Sequence, residues 1–315
     1  MADMEWKNET SITKFILLGF VNLNEVQILL FVVFLVIYIL TMAGNLLMVV
    51  LVVYDQHLHT PMYFFLGNLS FLETCCTSVI SPRLLAGFLV EDRTIFFGDC
   101  VTQLFFCGAL ASIECFLLAV MAYDRYLAIC NPLSYKVMMN FRVCLLLVSA
   151  SWITGFSASA LVVGMVPQLN FCGPKEINNF FCDMAELLKL SCAKSPLVEM
   201  IILVCCSLLT LVPFLFIIVS YILILSAILQ IASSTGRQKA FSTCASHLLV
   251  MSLYYGTIII IYMAPSADLS PDFHKTLSLM YTVATPMLNP IIYSLRNQEV
   301  KGAFRKVMMQ NLGMI

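Results

Sequence analysis

Seven long apolar stretches alternate with shorter polar connections along the chain. A helix that crosses a bilayer needs about 20 predominantly apolar residues, and each of these stretches reaches that length. The fifth is the longest, because no Asp, Glu, Lys or Arg occurs from Met200 to Gly236, so its end should project beyond the membrane. The pattern predicts an all-α membrane protein, a seven-transmembrane helix bundle, with spans over about 26–53, 61–82, 100–123, 143–166, 198–232, 240–264 and 273–295.

The segments that flank the seven spans complete the expected domain organisation. Residues 1–25 lack the basic start, short apolar core and cleavage site of a signal peptide, so we expect an N-terminal tail before a transmembrane domain over 26–295. Residues 296–315 should form a tail on the other side. Within Asn297–Gln310, the spacing of basic and apolar residues predicts a short amphipathic helix on the membrane surface, with a frayed basic tail as the alternative. The residues concerned are Val300, Lys301, Phe304, Arg305, Lys306, Val307 and Met308.

Composition excludes a water-soluble fold. Hydrophobic residues make up 61% of the 315 residues and charged residues 11%, with a mean hydropathy of +0.94. A soluble domain carries about 25% charged residues, so this chain would have too little polar surface in water. Membrane lipid is therefore an expected partner. The net charge of −1 does not indicate binding to nucleic acid, and we expect no nucleic-acid partner.

The cysteines indicate which side of the membrane each terminus occupies. Lys and Arg divide almost evenly between the two sides, so the positive-inside rule decides little. Cys100, Cys172, Cys182 and Cys192 all fall on the N-terminal side, and an even number there favours an oxidising compartment. The tripeptide NET at Asn8 is a glycosylation acceptor on the same side. We therefore expect a multi-pass membrane protein with an extracellular N-terminus and a cytoplasmic C-terminal tail.

Three spans carry an ionisable residue well inside the membrane, namely Glu73, Glu114 and His247. Such residues usually mark function, with packing between helices as the alternative. At 1.5 Å per residue, Glu73 lies about 20 Å from the cytoplasmic end of its span and Glu114 about 21 Å from the outer end of its own, so the two carboxyls should share a similar depth. Burial and mutual repulsion would favour protonation of such a pair. A shared proton or a bound sodium ion would relieve the repulsion, whereas two unrelated protonated carboxyls are the alternative.

Several short motifs occur in order on these spans. They are GN at Gly44–Asn45, LHTPMYFFLGNLS from Leu58, MAYDRYLAIC at 121–130, SY at Ser220–Tyr221, KAFSTCASHL from Lys239 and PMLNPIIYSLRN from Pro286. Together they resemble the odorant receptors, a branch of the rhodopsin-like G-protein-coupled receptors, along nearly the whole chain. The resemblance implies a receptor that a small volatile odorant activates and that raises cyclic AMP through a heterotrimeric G protein of the stimulatory olfactory type. It implies neither enzymatic activity nor a cofactor, apart from the sodium ion considered above.

The resemblance also implies roles for individual residues. The residues implied in G-protein coupling and activation are Asp124, Arg125, Tyr221, His247, Asn289 and Tyr293. A carboxylate beside Arg125 can hold the guanidinium until a partner inserts, with a pair of solvated helix-end charges as the alternative.

Two disulfides follow from the resemblance, Cys100–Cys182 and Cys172–Cys192, of which the first would pin the long connection over a ligand pocket. The chain departs from the family at Glu73, where Asp is usual. Glu is longer by one methylene, so a sodium site formed with Glu114 would have altered geometry.

The resemblance places a ligand pocket in the outer half of the bundle. The expected lining is mostly apolar, with a few hydroxyls and thiols, and ordinary helix packing is the alternative at each position. It consists of Cys107, Gly108, Ala111, Ser112, Cys205, Cys206, Leu209, Ile258, Ile259, Tyr262, Leu279 and Thr282. Because no Lys or Arg is among them, a carboxylate ligand would lack a counter-ion. We expect a neutral, largely apolar ligand.

Other classes of membrane protein fit the sequence less well. A retinal protein needs a Lys in the middle of the seventh span, and none occurs from Thr276 to Leu295. A transporter would show paired repeats with broken helices, which an odd number of spans does not suggest. An intramembrane hydrolase would need a zinc motif or paired catalytic aspartates, and HExxH is absent.

Overall fold

The protein forms a bundle of long helices in a computed structural model that describes residues 13–20, 26–90, 92–171, 175–191, 196–230, 233–263, 271–296 and 300–304. Six helices in this part of the chain are long and apolar enough to cross a membrane, and a seventh helical segment follows them. They are α1 (Gln27–Tyr54), α2 (Pro61–Leu89), α3 (Phe97–Cys130), α4 (Phe141–Met165), α5 (Pro196–Leu229), α6 (Ser234–Met263) and α7, which runs from Pro271 to Arg296. The predicted seven-helix fold is confirmed.

Local chemistry sets where two of these helices begin. Thr60 has an extended backbone before α2, and Pro61 takes the first helical position, where its missing N–H costs nothing. Asn140 caps α4, because its side-chain oxygen accepts a hydrogen bond from the backbone N–H of Val143 at 3.1 Å. Both helices therefore start at defined residues, and the connections that precede them stay short.

Helix α3 runs through the middle of the bundle. It packs against α2, α4 and α5, and its side chains Ile113, Leu117 and Leu118 are fully buried. Helix α5 instead turns exposed apolar residues such as Leu208 and Leu215 outward. Large exposed apolar surface marks a contact with lipid or protein, and a lipid bilayer accounts for it on these faces.

Several helices extend beyond the predicted spans. Helix α3 continues to Cys130, α6 begins at Ser234, and α2 runs through Pro82 to Leu89. Hydropathy identifies only the part of a helix that lies in hydrocarbon, so the polar ends were not predicted. Helix α7 has a further departure, since its α-helical parts Pro271–Leu279 and Thr285–Arg296 flank a π-helical turn at Met280–Ala284.

A small three-stranded sheet lies at the N-terminal side of the bundle, and the sequence did not predict it. Its strands are β1 (Lys14–Leu17), β2 (Thr94–Phe96) and β3 (Glu176–Ile177). Strand β1 is central, antiparallel to β2 and parallel to β3. Runs of two to four residues carry too little periodic signal to be recognised as strands.

The predicted amphipathic helix after α7 is described only in part. Residues 300–304 are helical, with Val300 and Ala303 buried and Phe304 exposed. The remaining positions of that prediction lie outside the described residues. This short segment turns one apolar side towards the bundle.

Close packing between α3 and α4 depends on Gly155. A Cβ at this position would overlap Ile113 Cγ1 and lie 2.9 Å from the Ala109 carbonyl oxygen. We expect Gly155→Ala to lower the free energy of unfolding by about 1–3 kcal/mol, because overpacked atoms force helices apart. Thermal unfolding of the purified protein measures the effect. Gly164→Ala in the same helix is the matched control, since a Cβ there meets nothing within 4 Å; equal stability of the two variants would contradict this account.

Candidate functional site

A cavity of about 160 Å³ lies among α3, α5, α6 and α7, towards the side that carries the β-sheet. An apolar cavity of about 150 Å³ accommodates a molecule the size of benzene, so this one suits a small organic ligand. Most of the lining expected from the sequence is present. Those residues are Cys107, Gly108, Ala111, Ser112, Cys206, Leu209, Ile258, Ile259 and Thr282.

Two expected lining positions do not contribute, and a third lies outside the described residues. Cys205 packs beside a hydrophobic cluster rather than lining the cavity, because it lies about 100° around α5 from Cys206. Leu279 packs in another cluster, directly before the π-helical turn. The side chain of Tyr262 lies outside the described residues.

Sequence reasoning missed part of the lining. Phe181, Asp183 and Met184 come from the connection between α4 and α5 and close the cavity on the β-sheet side. The disulfide between Cys100 and Cys182 holds this connection against the start of α3, as expected. The expected disulfide could have predicted these lining residues, because it holds the connection over the pocket and they lie next to Cys182 in sequence.

The π-helical turn in α7 brings one unexpected group, Tyr281, to the cavity beside Thr282. Tyr281 and Thr282 line it, and Thr285 Oγ1 donates a hydrogen bond to the Met280 carbonyl five residues earlier at 3.0 Å. Such turns are frequent at functional sites, because one extra residue shifts the faces of a helix. The turn explains why Thr282 faces the cavity while Leu279 does not.

Two tyrosines of α6 donate hydrogen bonds to backbone carbonyls of α3 at the deep end of the cavity. Tyr254 donates to the Ala111 carbonyl at 2.8 Å, and Tyr255 donates to the Cys115 carbonyl at 3.0 Å. Both tyrosines are fully buried, and Tyr254 also lines the cavity. A ligand that displaces Tyr254 would therefore act directly on the contact between α6 and α3.

The charged groups of the cavity are acidic. Among the described lining residues there is no Lys or Arg, whereas Glu114 and Asp183 both contribute. The remaining polar groups are mainly thiols and hydroxyls, as at Cys107 and Ser112. An anionic ligand in this cavity would lie beside two carboxyl groups and would have no basic side chain as a partner among the described residues.

A buried polar network lies below the cavity, where α1, α2, α3 and α7 approach one another. Asn289 Nδ2 donates a hydrogen bond to Glu73 Oε1, and the Glu73 carboxyl is close enough to Glu114 to interact with it. Asn45 Nδ2 donates to the Pro286 carbonyl at 3.0 Å and so ties α1 to α7. The two carboxyls that depth counting placed at one level are neighbours.

One oxygen of each carboxyl remains available to a further group. Glu73 Oε2 and Glu114 Oε1 are buried and have no hydrogen-bond partner among the described residues. A proton or a monovalent cation could be held there by Glu73, Glu114 and the amide oxygen of Asn289, which is likewise unpartnered in that part of the chain. Within those residues, however, no cluster of three or more His, Cys, Asp or Glu side chains forms a metal site.

A charged pair lies at the opposite end of α3. The Arg125 guanidinium is 3.7 Å from the Asp124 carboxylate, and Tyr135 donates a hydrogen bond to the same carboxylate at 2.7 Å. Tyr135 belongs to a short helix, Tyr135–Met138, in the connection to α4. Burial, reinforced by the Asp124 charge, raises the pKa of Tyr135, so its hydroxyl stays a donor.

Three other residues implied in activation lie around Arg125, whereas Asn289 belongs to the polar network with Glu73. Tyr221 of α5 and His247 of α6 are buried, with the Tyr221 hydroxyl 2.6 Å from His247 Nδ1. Arg125 is close enough to act electrostatically on Tyr221, His247 and Tyr293. Helices α3, α5, α6 and α7 therefore meet through polar groups at this end, and such contacts can exchange partners when a helix moves.

Two predictions fall outside the described residues. Asn8, the expected glycosylation acceptor, lies in the undescribed part of the N-terminal segment. Cys172 and Cys192, the expected second disulfide, lie in two gaps of the described chain. Phe171 and Ser191, directly before these cysteines, form an antiparallel β-bridge.

Comparison with known proteins identifies relatives of nearly the same length. A family model described as olfactory receptor matches residues 34–311. The chain is 47% identical to olfactory receptor 5AP2 of Mus musculus over 302 residues, which cover 96% of this chain and 95% of that protein. It is 48% identical to olfactory receptor 11L1 of Homo sapiens, with 99% and 97% covered, and 49% identical to olfactory receptor 10A7 of Homo sapiens, with 97% of each covered.

Filling the cavity should weaken the binding of a small apolar probe. Ala111 lines the cavity, so Ala111→Leu places three additional carbon atoms in or beside the space a ligand occupies. We expect the dissociation constant of fluorobenzene to rise about tenfold, equivalent to about 1.4 kcal/mol. A titration of the purified protein followed by fluorine NMR measures it. Ala160→Leu on the exposed face of α4 is the matched control; equal binding by both variants would show that fluorobenzene does not occupy this cavity.

Proposed function

Because the chain belongs to the olfactory receptor family, we propose that a neutral, largely apolar odorant binds in the cavity and activates it. Membership of that family makes the protein a multi-pass, odorant-sensing G-protein-coupled receptor and not an enzyme. The proposed partner is a heterotrimeric G protein of the stimulatory olfactory type, and the proposed output is cyclic AMP.

The charge of the cavity lining carries the proposal about the ligand. Glu114 and Asp183 line the cavity, and no basic side chain does so among the described residues. A carboxylate ligand would lose its hydration without gaining a counter-ion, and burial of an unpaired charge is costly. The cavity volume of about 160 Å³ also favours a compact molecule. Thiols and hydroxyls such as Ser112 can orient one carbonyl or hydroxyl group of the odorant.

The proposed mechanism is a shift of population between two packings of α6 against α3. An odorant shifts this equilibrium only by binding one packing more tightly than the other. Tyr254 is the proposed sensor, because it lines the cavity and donates to the Ala111 carbonyl of α3. At the other end, movement of α6 would free Arg125 from Asp124 and open a site for the C-terminal helix of the G-protein α subunit.

Orientation in the membrane is part of the proposal. The Cys100–Cys182 disulfide and the β-sheet lie on one side of the bundle, and disulfides persist in oxidising compartments. We therefore place residues 1–25 outside the plasma membrane, the receptor domain at 26–295, and the tail at 296–315 in the cytoplasm. Arg125 and the charged residues around it would then face the G protein.

Glu73 and Glu114 are proposed to tune the balance between the two packings. Their neighbouring carboxyls and the unpartnered oxygens described above suit a shared proton or a sodium ion. Asn289 connects Glu73 to α7, so the state of the carboxyl pair would influence how α2, α3 and α7 pack. Glu114 also lines the odorant cavity, whereas Glu73 is not among the described residues that line it.

A panel of odorants tests both the receptor activity and the ligand class. Cells that express the protein should raise cyclic AMP in response to small neutral odorants more strongly than to short fatty acids, because the cavity lining offers no counter-ion to a carboxylate. Dose–response curves at measured surface expression provide the comparison. A panel in which short fatty acids clearly outperform neutral odorants would contradict the proposed ligand class.

Arg125→Ala should abolish signalling without abolishing binding. The guanidinium lies at the proposed G-protein site, and its side chain is only 14% exposed beside Asp124. We expect agonist-stimulated cyclic AMP to fall to the basal level while the dissociation constant for the odorant stays within the range of the wild type. Arg142→Ala, at the exposed start of α4, is the matched control. Normal signalling by Arg125→Ala at equal surface expression would refute the coupling role.

Glu73→Gln tests the tuning role of the carboxyl pair. Gln keeps the size of the side chain but cannot carry the charge, so the proton or cation shared with Glu114 is lost. We expect a change in basal cyclic AMP or in maximal response, with the rank order of odorants preserved. The measurements are basal activity per receptor at the cell surface and the panel described above. An altered rank order with unchanged basal activity would assign Glu73 to odorant recognition instead.

A further inference from the structure

A second cavity, here called the outer cavity, lies between the end of β1, the outer end of α2, the connection from α2 to β2 and the residues that follow β3. Its volume is about 90 Å³, and it is separate from the odorant cavity. Its lining combines two arginines with an apolar wall, and it reaches the surface at Val90 and Asp92. The lining includes Phe20, Arg83, Phe88, Asp92, Arg93 and Phe180.

Both arginines are fixed at the cavity by their own hydrogen bonds. The Arg83 guanidinium donates to the Thr94 carbonyl, and Arg93 Nη1 donates to the Leu18 carbonyl at 3.2 Å. Each guanidinium has five N–H donors in a rigid fork, so each retains donors beyond the bond described here. Both side chains are partly buried, which fixes their positions better than those of free surface residues.

The charge around the outer cavity is positive in the described part of the chain. Besides the two arginines, Lys14 is close enough to act electrostatically on Asp92, and its Nζ lies 4.7 Å from the centre of the Phe96 ring. Asp92 is the acidic residue that lines the cavity, and its carboxylate accepts a hydrogen bond from the backbone N–H of Thr94 at 3.0 Å. That hydrogen bond, together with the charges of Lys14 and Arg83, lowers the pKa of Asp92, so it stays ionised and offsets one positive charge.

The apolar wall restricts the kind of anion that fits. Phe20 stacks with Phe88 at 6.1 Å and with Phe180 at 5.9 Å between ring centroids, so three rings cover one side. An inorganic anion would leave this wall without contacts, whereas a short carbon chain would pack on it. The cavity is smaller than the ~150 Å³ that accommodates benzene, which limits the ligand to a few carbon atoms.

We propose that the outer cavity is a binding site for a short-chain organic carboxylate, with Arg83 and Arg93 holding the carboxylate and Phe20, Phe88 and Phe180 packing on its carbon chain. Arginine forks match the geometry of a carboxylate, and hydrogen bonds between two charged groups are about twice as strong as neutral ones. The odorant cavity lacks basic side chains in the described chain, so the two cavities select ligands of different charge.

One aromatic layer separates the two cavities. Phe180 lines the outer cavity and Phe181 lines the odorant cavity, with 5.1 Å between their ring centroids. Phe181 in turn contacts Tyr281 of α7 edge to face at 6.4 Å. A carboxylate that fixes Phe180 would therefore restrain the wall of the odorant cavity as well.

Thermal unfolding of the purified receptor tests the site without an odorant or a G protein. Sodium propionate should raise the unfolding temperature in a saturable manner, since a ligand that binds only the folded protein stabilises it. Sodium chloride and propionamide at equal concentrations should not, because the first lacks a carbon chain and the second lacks the charge. Because no signalling is measured, this test can fail while the proposed odorant function stands.

Variants locate the propionate. Arg83→Gln and Arg93→Gln should each remove the rise in unfolding temperature, whereas Arg142→Gln, on the other side of the bundle, should preserve it. Arg83→Lys and Arg93→Lys keep the charge without the planar fork, so the rise in unfolding temperature should require higher propionate concentrations. These two variants test the site if the Gln variants fail to fold. Ala111→Leu blocks the odorant cavity and should preserve the rise.

Several results would overturn the site. They are the absence of a rise with propionate, an equal rise with propionamide, a rise that persists in both Arg→Gln variants, or a rise that Ala111→Leu abolishes. The last would place propionate in the odorant cavity.

The coupling between the cavities rests on the proposed odorant function and has its own test. Propionate should lower the half-maximal concentration of a neutral agonist about fivefold, at the lower end of typical allosteric couplings, and Arg93→Gln should remove this effect. An unchanged agonist concentration in propionate, with the rise in unfolding temperature intact, would refute the coupling but not the site.

Discussion

The contact of Glu73, Glu114 and Asn289 is the interaction on which the rest of the bundle depends. Two carboxyls placed side by side in a low-dielectric interior are tolerated only when a hydrogen bond, a proton or a cation compensates them. The bond from Asn289 supplies part of that compensation and brings α7 against α2. The adjoining bond from Asn45 to the Pro286 carbonyl draws α1 to the same place. Four helices are therefore positioned by groups that could not be buried separately.

The same contact separates two regions with different chemistry. Above it, the cavity is lined by apolar groups, thiols and hydroxyls, and the hydrogen bonds from Tyr254 and Tyr255 fasten α6 to α3. Below it, Arg125 is surrounded by groups from α5, α6 and α7. Helix α3 contributes Glu114 to one region and Arg125 to the other. A change in how α6 packs on α3 is felt in both, which is the physical basis for the proposed communication between odorant and G protein.

The sequence predicted what depends on hydropathy and depth, and missed what depends on short-range geometry. The seven helices follow from apolar runs, and the common depth of Glu73 and Glu114 follows from counting residues. The β-sheet was missed because strands such as Glu176–Ile177 are too short to show a period. The π-helical turn at Met280–Ala284 was missed because no residue type marks it, and Leu279 was consequently placed in the cavity.

Among the described residues, arginines line the outer cavity and not the odorant cavity, a difference that follows from the free-energy cost of burying a guanidinium group without hydrogen-bond acceptors. In the middle of a membrane an arginine needs a partner or water, and the odorant cavity has thiols and hydroxyls near its carboxyls instead. At the outer end of α2, backbone carbonyls of the β-sheet region accept hydrogen bonds from Arg83 and Arg93, so the guanidinium groups can be partly buried without a carboxylate attached to each. The β-sheet region therefore does more than cover the bundle. Its backbone carbonyls hold the guanidinium groups of Arg83 and Arg93 beside an aromatic wall. Phe180 of that wall is followed directly by Phe181, which lines the odorant cavity.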